Sequence, residues 1–211
     1  MDSLKKFKNL LKSKYLFHLH TNYTDGASTV EDYCLWASEN GYSHLVFTEH
    51  VRKELSYDFE GFLSDIRDAG RRFVNLNIRA GVEAKLLPGG GLDIPQEILP
   101  DIEVICFACH SFPSDLDLYA SSFRKLFSDT RWKNHVRIWV HPGYFFKRLG
   151  IMEAGLSLLN ELADYAIKEG IFVEHNIRHK LPPESVLKNI PKHSIITGLD
   201  AHSVEDLGKL T

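Results

Sequence analysis

The sequence predicts a single α/β domain whose parallel strands close into a barrel, and three observations carry that expectation. Apolar, β-branched or aromatic runs alternate with amphipathic stretches along nearly the whole chain, the mark of repeated βα units. Seven such runs are present, with no linker dividing them. His and carboxylate residues recur at the ends of those runs. An open doubly wound sheet would hold its first and last strand ends apart, whereas a closed barrel brings all of them to one rim.

Taken in order, Leu4 to Leu11 places apolar groups at helical spacing with lysines on the other face, so residues 1–14 read as an amphipathic helix. A helix plugging one end of the fold is preferred over attachment to a membrane surface. Strands are expected over Tyr15–Thr21, His44–His50, Ile78–Lys85, Val104–His110, Arg137–His141, Ile171–Asn176 and Ser194–His202. Helices are expected over Thr29–Asn40, Phe59–Val74, Asp117–Phe127, Glu153–Lys168 and Pro183–Asn189. Ser28 is placed to cap the first of these with Glu31 three residues on, and Gly41 and Gly170 stand where helices stop. Leu87 to Leu92 contains Pro-Gly-Gly-Gly and lacks the Gly-Lys-Ser/Thr ending of a phosphate loop, so it reads as a hairpin turn after the third strand.

Composition narrows the function. The 211 residues, 44% of them hydrophobic, suffice for one well-packed domain. Lys and Arg total 25 against 28 Asp and Glu, a formal charge of -3, so nothing attracts nucleic acid phosphates generally and nucleic acid is not the expected partner. The Lys-rich N-terminus lacks a secretory apolar run, and no stretch reaches membrane-spanning length, so a cytoplasmic protein without membrane contact is expected. Cys34, Cys106 and Cys109 have no disulfide-framework spacing. Cys106-Phe107-Ala108-Cys109-His110 matches the pattern of c-type haem attachment, but strand alternation points the two cysteines to opposite faces, so no haem is expected.

Among the eleven histidines, position matters more than number. His18 and His20 are two apart near the end of the first strand, which turns both toward one face. Asp25 follows in the next loop, His50 ends the second strand, Glu83 lies late in the third, His110 ends the fourth and His141 closes the fifth. Asp200 and His202 end the seventh. Six imidazoles and three carboxylates buried together without metal would form a poorly satisfied core. They also exceed the roughly four ligands of one zinc ion, which implies two or three divalent ions.

His18-Leu19-His20-Thr21, Thr48-Glu49-His50, Gly81-Val82-Glu83-Ala84, His110, His141-Pro142 and Asp200-Ala201-His202 resemble the ordered motifs of the polymerase and histidinol phosphatase (PHP) family, across residues 15–208. The resemblance implies a distorted seven-stranded (β/α) TIM-like barrel, a trinuclear site and phosphoester hydrolysis. It implies that His18, His20, Glu83 and Asp200 hold a first metal, that Glu83 bridges to a second held by His110 and His141, and that Asp25, His50 and His202 take a third. The family often has His where Asp25 stands and Ser where Leu199 stands, which makes the third site here richer in oxygen. Phe172 to Arg178 is similar to the family's Glu-hydrophobic-Asn stretch, with His175 replacing the apolar residue.

The expected reaction is hydrolysis of a small phosphomonoester, as in histidinol phosphatases, by a metal-bridging hydroxide, with zinc, manganese or iron. Glu83, Asp200, His202 and Arg178 are expected to carry the chemistry, with Arg178 clamping the substrate phosphate and Arg52, Lys53, Lys147 and Arg148 at the rim. No Ser or Cys stands in a nucleophile motif, so the nucleophile should be water. An exonuclease acting on nucleic acid and a non-catalytic regulatory module are the alternatives. For the exonuclease, Tyr144, Phe145 and Phe146 with Lys147 and Arg148 would form a small stacking patch.

Overall fold

The computed structural model describes Phe7 and residues 9–210. Residues 1–6 and 8, half of the segment read as one helix, lie outside that range. Within it, Phe7 and Leu10 are fully buried and join the core inside the barrel, with the Phe7 ring 5.5 Å from that of Phe172.

Seven strands run parallel in the order in which they occur: β1 (Tyr15–Leu19), β2 (His44–Val51), β3 (Asn77–Leu86), β5 (Val104–Ala108), β6 (Val136–Trp139), β7 (Phe172–Asn176) and β8 (Ile195–Gly198). The two-residue β4 (Leu92–Asp93) pairs antiparallel with the end of β3, so the Pro-Gly-Gly-Gly segment is the hairpin turn its composition implied. Beyond the ladders, the first and last strands meet through main-chain hydrogen bonds: Leu199 donates to Phe17 at 3.0 Å, Ala201 to His18 at 3.0 Å, and His20 to Ala201 at 2.9 Å. The Tyr33 hydroxyl lies 3.1 Å from the carbonyls of both His20 and Ala201 and pins the seam. The result is a nearly closed barrel.

Period-2 alternation divides the core in two. Along β5, Val104, Cys106 and Ala108 belong to the inner cluster while Ile105 and Phe107 pack outward against helices. Cys106 and Cys109 fall into different clusters, as alternation implied, and all three cysteines are buried and free. The outer layer comprises α1 (Val30–Glu39), α2 (Phe59–Arg72), α3 (Leu116–Ser128), α4 (Tyr144–Leu149), α5 (Met152–Lys168), α6 (Glu184–Leu187) and α7 (Val204–Leu210). None of the described helices is long and apolar enough to cross a membrane.

Two details differ from the sequence reading. The cap of α1 is Thr29, whose hydroxyl accepts from the Asp32 amide at 3.1 Å while the Asp32 carboxylate accepts from the Thr29 amide at 2.8 Å. Ser28 instead accepts from the Val204 amide at 3.1 Å and ties the loop to α7. Several strands also stop earlier than their apolar runs: β5 two residues before His110, β6 two before His141, and β8 two before Asp200. Those residues leave the ladder because their side chains must turn into the barrel mouth.

Candidate metal centre

Four non-glycine residues among those described have positive φ, and three of them are His18 (68°), His141 (47°) and Asp200 (54°). Left-handed backbone is unfavourable for such residues and persists where the surrounding structure enforces it, commonly at functional sites. At His18 the cause is visible. Phe17 faces inward, so unbroken alternation would point His18 and His20 outward. The pairing with β2 shifts register between Phe17 and Leu19, and this bulge returns both imidazoles to the mouth. The single face expected for the two histidines is therefore achieved, but through an irregularity.

Glu83 is the hub. Its Oε2 lies 3.1 Å from His18 Nε2, 3.3 Å from His20 Nε2 and 3.5 Å from His50 Nδ1. Its Oε1 lies 3.3 Å from His110 Nε2 and 3.8 Å from His141 Nδ1. Asp200 Oδ1 faces His18 and His20 at 3.8 and 3.7 Å, while Oδ2 is 3.3 Å from His141 Nε2. Asp25 Oδ2 completes the cluster at 3.3 Å from His50 Nε2 and 3.4 Å from His202 Nε2. All nine residues singled out in the sequence thus converge. Their donor atoms form four overlapping groups: His20, Asp25, His50 and His202; His18, His20 and Glu83; His18, His141 and Asp200; and Glu83, His110 and His141. Within each group the atoms lie within 4.8 Å of one another.

Buried polar atoms test whether metal fits. His20 Nδ1 and Nε2, His50 Nδ1, Glu83 Oε1, and His141 Nδ1 and Nε2 make no hydrogen bond among the described residues. Buried polar groups are normally paired, and leaving one unmet costs about 1–3 kcal/mol. Six such atoms around one point, on imidazole and carboxylate, suit divalent cations and nothing that the chain itself supplies. Residues 17–178 match the PHP domain. The chain belongs to the PHP domain family. PHP domains are metal-dependent hydrolases, and the donor set agrees with that class.

Two relatives frame this PHP domain. DNA polymerase/3'-5' exonuclease PolX of Bacillus subtilis (strain 168) is 25% identical over 201 residues, covering 90% of this chain and 34% of that protein. The chain therefore spans about a third of that relative's length. The crystal structure of histidinol phosphate phosphatase from Lactococcus lactis subsp. lactis Il1403, complexed with zinc, L-histidinol and phosphate, superposes with a TM-score of 0.64. That likeness covers 94% of this chain and 92% of the other at 14% identity, and it concerns the fold.

Three site residues were given no role from sequence. Glu174, fully buried on β7, places Oε1 2.5 Å from His18 Nδ1, and its Oε2 accepts from the His141 amide at 2.8 Å and the Asn176 amide group at 3.1 Å. Alternation from Phe172 would have pointed it inward, and a buried carboxylate needs partners. Gly198 makes room for it, since a Cβ there would lie 1.8 Å from Glu174 Oε1. His179 Nε2 lies 3.1 Å from Asp200 Oδ2. It arrives through a turn in which its amide donates to Asn176 Oδ1 at 2.8 Å, for which periodicity gives no signal. Glu49 accepts from the Thr21 amide at 2.7 Å and from the Thr24 hydroxyl, holding the loop that carries Asp25. Gly26 lets that loop fold close, because a Cβ there would lie 2.3 Å from the His20 carbonyl.

The charges are strongly coupled. Burial opposes a proton on His18, but Glu174 and Asp200 outweigh it and hold its pKa well above the ordinary imidazole value. His141 is likewise raised against burial, by Glu83 and Asp200, and His50 against burial by Asp25. Burial pushes His20 and His110 down to about 4. Burial would raise Glu83 and Asp200, yet the surrounding imidazoles hold both below the usual carboxylate range. Burial lifts Glu49 to about 7.

The cationic residues expected at the rim are differently placed. Arg178 Nη1 is 2.9 Å from the Asp200 carbonyl, 3.2 Å from His202 Nδ1 and 3.1 Å from Asp206 Oδ2, so it braces the ligand loop. Arg52 beside His50 lines a groove leading off the site. Lys53 is exposed, and its amide donates to Asp93 Oδ1 at 2.9 Å. Arg148 donates to the Phe112 carbonyl at 2.6 Å and Lys147 to the His179 carbonyl at 3.1 Å. Phe145 and Phe146 are fully buried packing residues, which leaves Tyr144 as the one aromatic of that trio beside His110, His141 and His179.

Proposed function

We propose that this domain hydrolyses small phosphomonoesters with two or three divalent ions, and that the nine convergent residues hold them. The observation that carries the proposal is the set of six buried, unpartnered nitrogen and oxygen atoms arranged around Glu83. In this reading His18, His20, Glu83 and Asp200 hold one ion, His110 and His141 share Glu83 around a second, and Asp25, His50 and His202 take a third. Bound ions supply Lewis acidity and an activated water as nucleophile.

The protein's own part is positional and electrostatic. Glu174 accepts the Nδ1 proton of His18 and fixes the tautomer that leaves Nε2 free as a ligand, the familiar carboxylate–histidine support of metal sites. The split of Glu83 oxygens between two groups of imidazoles suits a bridging carboxylate. Three divalent ions would bring six positive charges against four carboxylates, those of Asp25, Glu83, Glu174 and Asp200. The remaining positive charge attracts a phosphate dianion. Arg178 orients the loop of Asp200 and His202, and we assign it a share of the charge developing on phosphate.

The relation to an exonuclease sustains a second reading, cleavage of a phosphodiester end in nucleic acid. Burial of Phe145 and Phe146 removes two of the three aromatics on which bases would stack, which favours the small-substrate reading. The deciding experiment loads chelated protein with zinc, manganese or iron and follows phosphate release from small phosphomonoesters beside shortening of an oligonucleotide. Phosphate release restored by metal supports the proposal. Oligonucleotide shortening alone selects the second reading, and no turnover at full metal occupancy leaves a non-catalytic metal-binding module.

A further inference from the structure

We propose that the groove beside His50 receives the organic part of the phosphoester and selects an aromatic or anionic leaving group over one carrying an ammonium. The inference rests on the phosphomonoesterase reading above and adds a substrate class to it. The groove encloses about 380 Å³ and is lined by Tyr23, Thr24, His50, Arg52, Leu55 and Tyr57, with Ser56. Because His50 belongs both to the donor cluster and to this wall, an ester whose phosphate sits on the cluster has room for its alcohol portion here.

The walls state a chemistry. Tyr23 and Tyr57 stand with ring centroids 6.1 Å apart at 54°, and Leu55 lies with them, giving apolar and π surface for a flat group. Arg52 supplies the cation of the groove: its Nη1 donates to the Val51 carbonyl at 2.6 Å, and its Nε is 3.9 Å from Asp93 Oδ2. Its side chain is still 45% exposed, so the guanidinium is held in place while remaining accessible.

No carboxylate lines the groove. Those nearby already have partners, several of them in the wall itself: Asp65 accepts from the Tyr23 hydroxyl at 2.9 Å, Glu49 from Thr21 and Thr24, Asp58 from the Gly61 amide at 2.9 Å, Asp25 faces His50 and His202, and Asp93 faces Arg52 at 3.9 Å. An ammonium group would meet Arg52 and the cationic cluster among carboxylates that already serve other donors and cations, whereas an aromatic ring or a carboxylate meets complementary surface.

The test uses 4-carboxyphenyl phosphate and 4-(aminomethyl)phenyl phosphate, which are alike in shape and opposite in charge, with phenyl phosphate as reference. The ratio of their kcat/KM values is compared among metal-loaded wild type, Arg52→Ala and Arg52→Glu, so that differences in intrinsic leaving-group reactivity cancel. Loss of a partly exposed charge should lower the carboxylate preference about two- to fivefold, and charge reversal about tenfold in all. Phenyl phosphate turnover with a ratio that neither variant moves overturns the inference and leaves the phosphomonoesterase reading standing. No hydrolysis of any aryl phosphate by metal-loaded protein overturns both.

Discussion

Replacing Glu174 by Gln should weaken metal binding without removing a ligand. The carboxylate is fully buried and serves three donors, His18 Nδ1 at 2.5 Å through Oε1, and the His141 and Asn176 N–H groups at 2.8 and 3.1 Å through Oε2. A glutamine fits the same space but has one oxygen and one NH2. Because two N–H groups converge on the Oε2 position, the amide oxygen settles there and the NH2 faces His18. It then donates to Nδ1 and forces the imidazole proton onto Nε2, the nitrogen that must bind metal. Loss of such support typically lowers metal affinity about 10–100-fold, which is roughly 1.4–2.7 kcal/mol. Gly198→Ala should reproduce the defect from outside the donor set, because its Cβ would lie 1.8 Å from Glu174 Oε1. The assay is titration of chelated protein with zinc against a competing indicator, read beside circular dichroism. Affinities of both variants within about twofold of wild type would refute the argument that Glu174 sets the His18 tautomer.

Three other outcomes are expected. Glu83→Ala should lose more bound metal and more activity than Asp25→Ala or Asp200→Ala, since Glu83 faces five imidazoles from both of its oxygens; metal analysis showing near-normal content would contradict it. Tyr33→Phe, which releases the barrel seam, should cost about 1 kcal/mol and lower Tm by roughly 2–4 °C with metal content unchanged, and an unaltered melting curve would remove that role. Metal affinity should rise from pH 6 to pH 8. His18, His50 and His141 have raised pKa values in the metal-free site, so metal must displace protons that they hold into the neutral range, and that competition fades as pH rises. Calorimetry in buffers of different ionisation enthalpy reads the released protons directly, and finding none would contradict the expectation.

Much of this was legible in the amino-acid sequence. Alternation of apolar runs and amphipathic stretches indicated seven parallel strands, and the nine donors could be chosen because they lie near the ends of such runs or in the loop that follows. Strand ends were overextended where ligands lie. His110, His141 and Asp200 follow apolar residues without a break, so nothing in the pattern shows where the ladder stops. Glu174 carried a partial signal through its inward phase on β7, and His179 carried none.

What the sequence determined by itself was therefore the set of elements and the chemical identity of the donors, because hydrophobic period and residue type are local properties. Tertiary structure alone decided the phase and aim of those donors. The bulge at His18, the left-handed turns at His141 and Asp200, the seating of Glu174 over Gly198 and the commitment of Arg178 to Asp206 all arise from contacts between residues far apart in the chain. Such contacts override the local preference of each residue, and only closure of the barrel brings them into being.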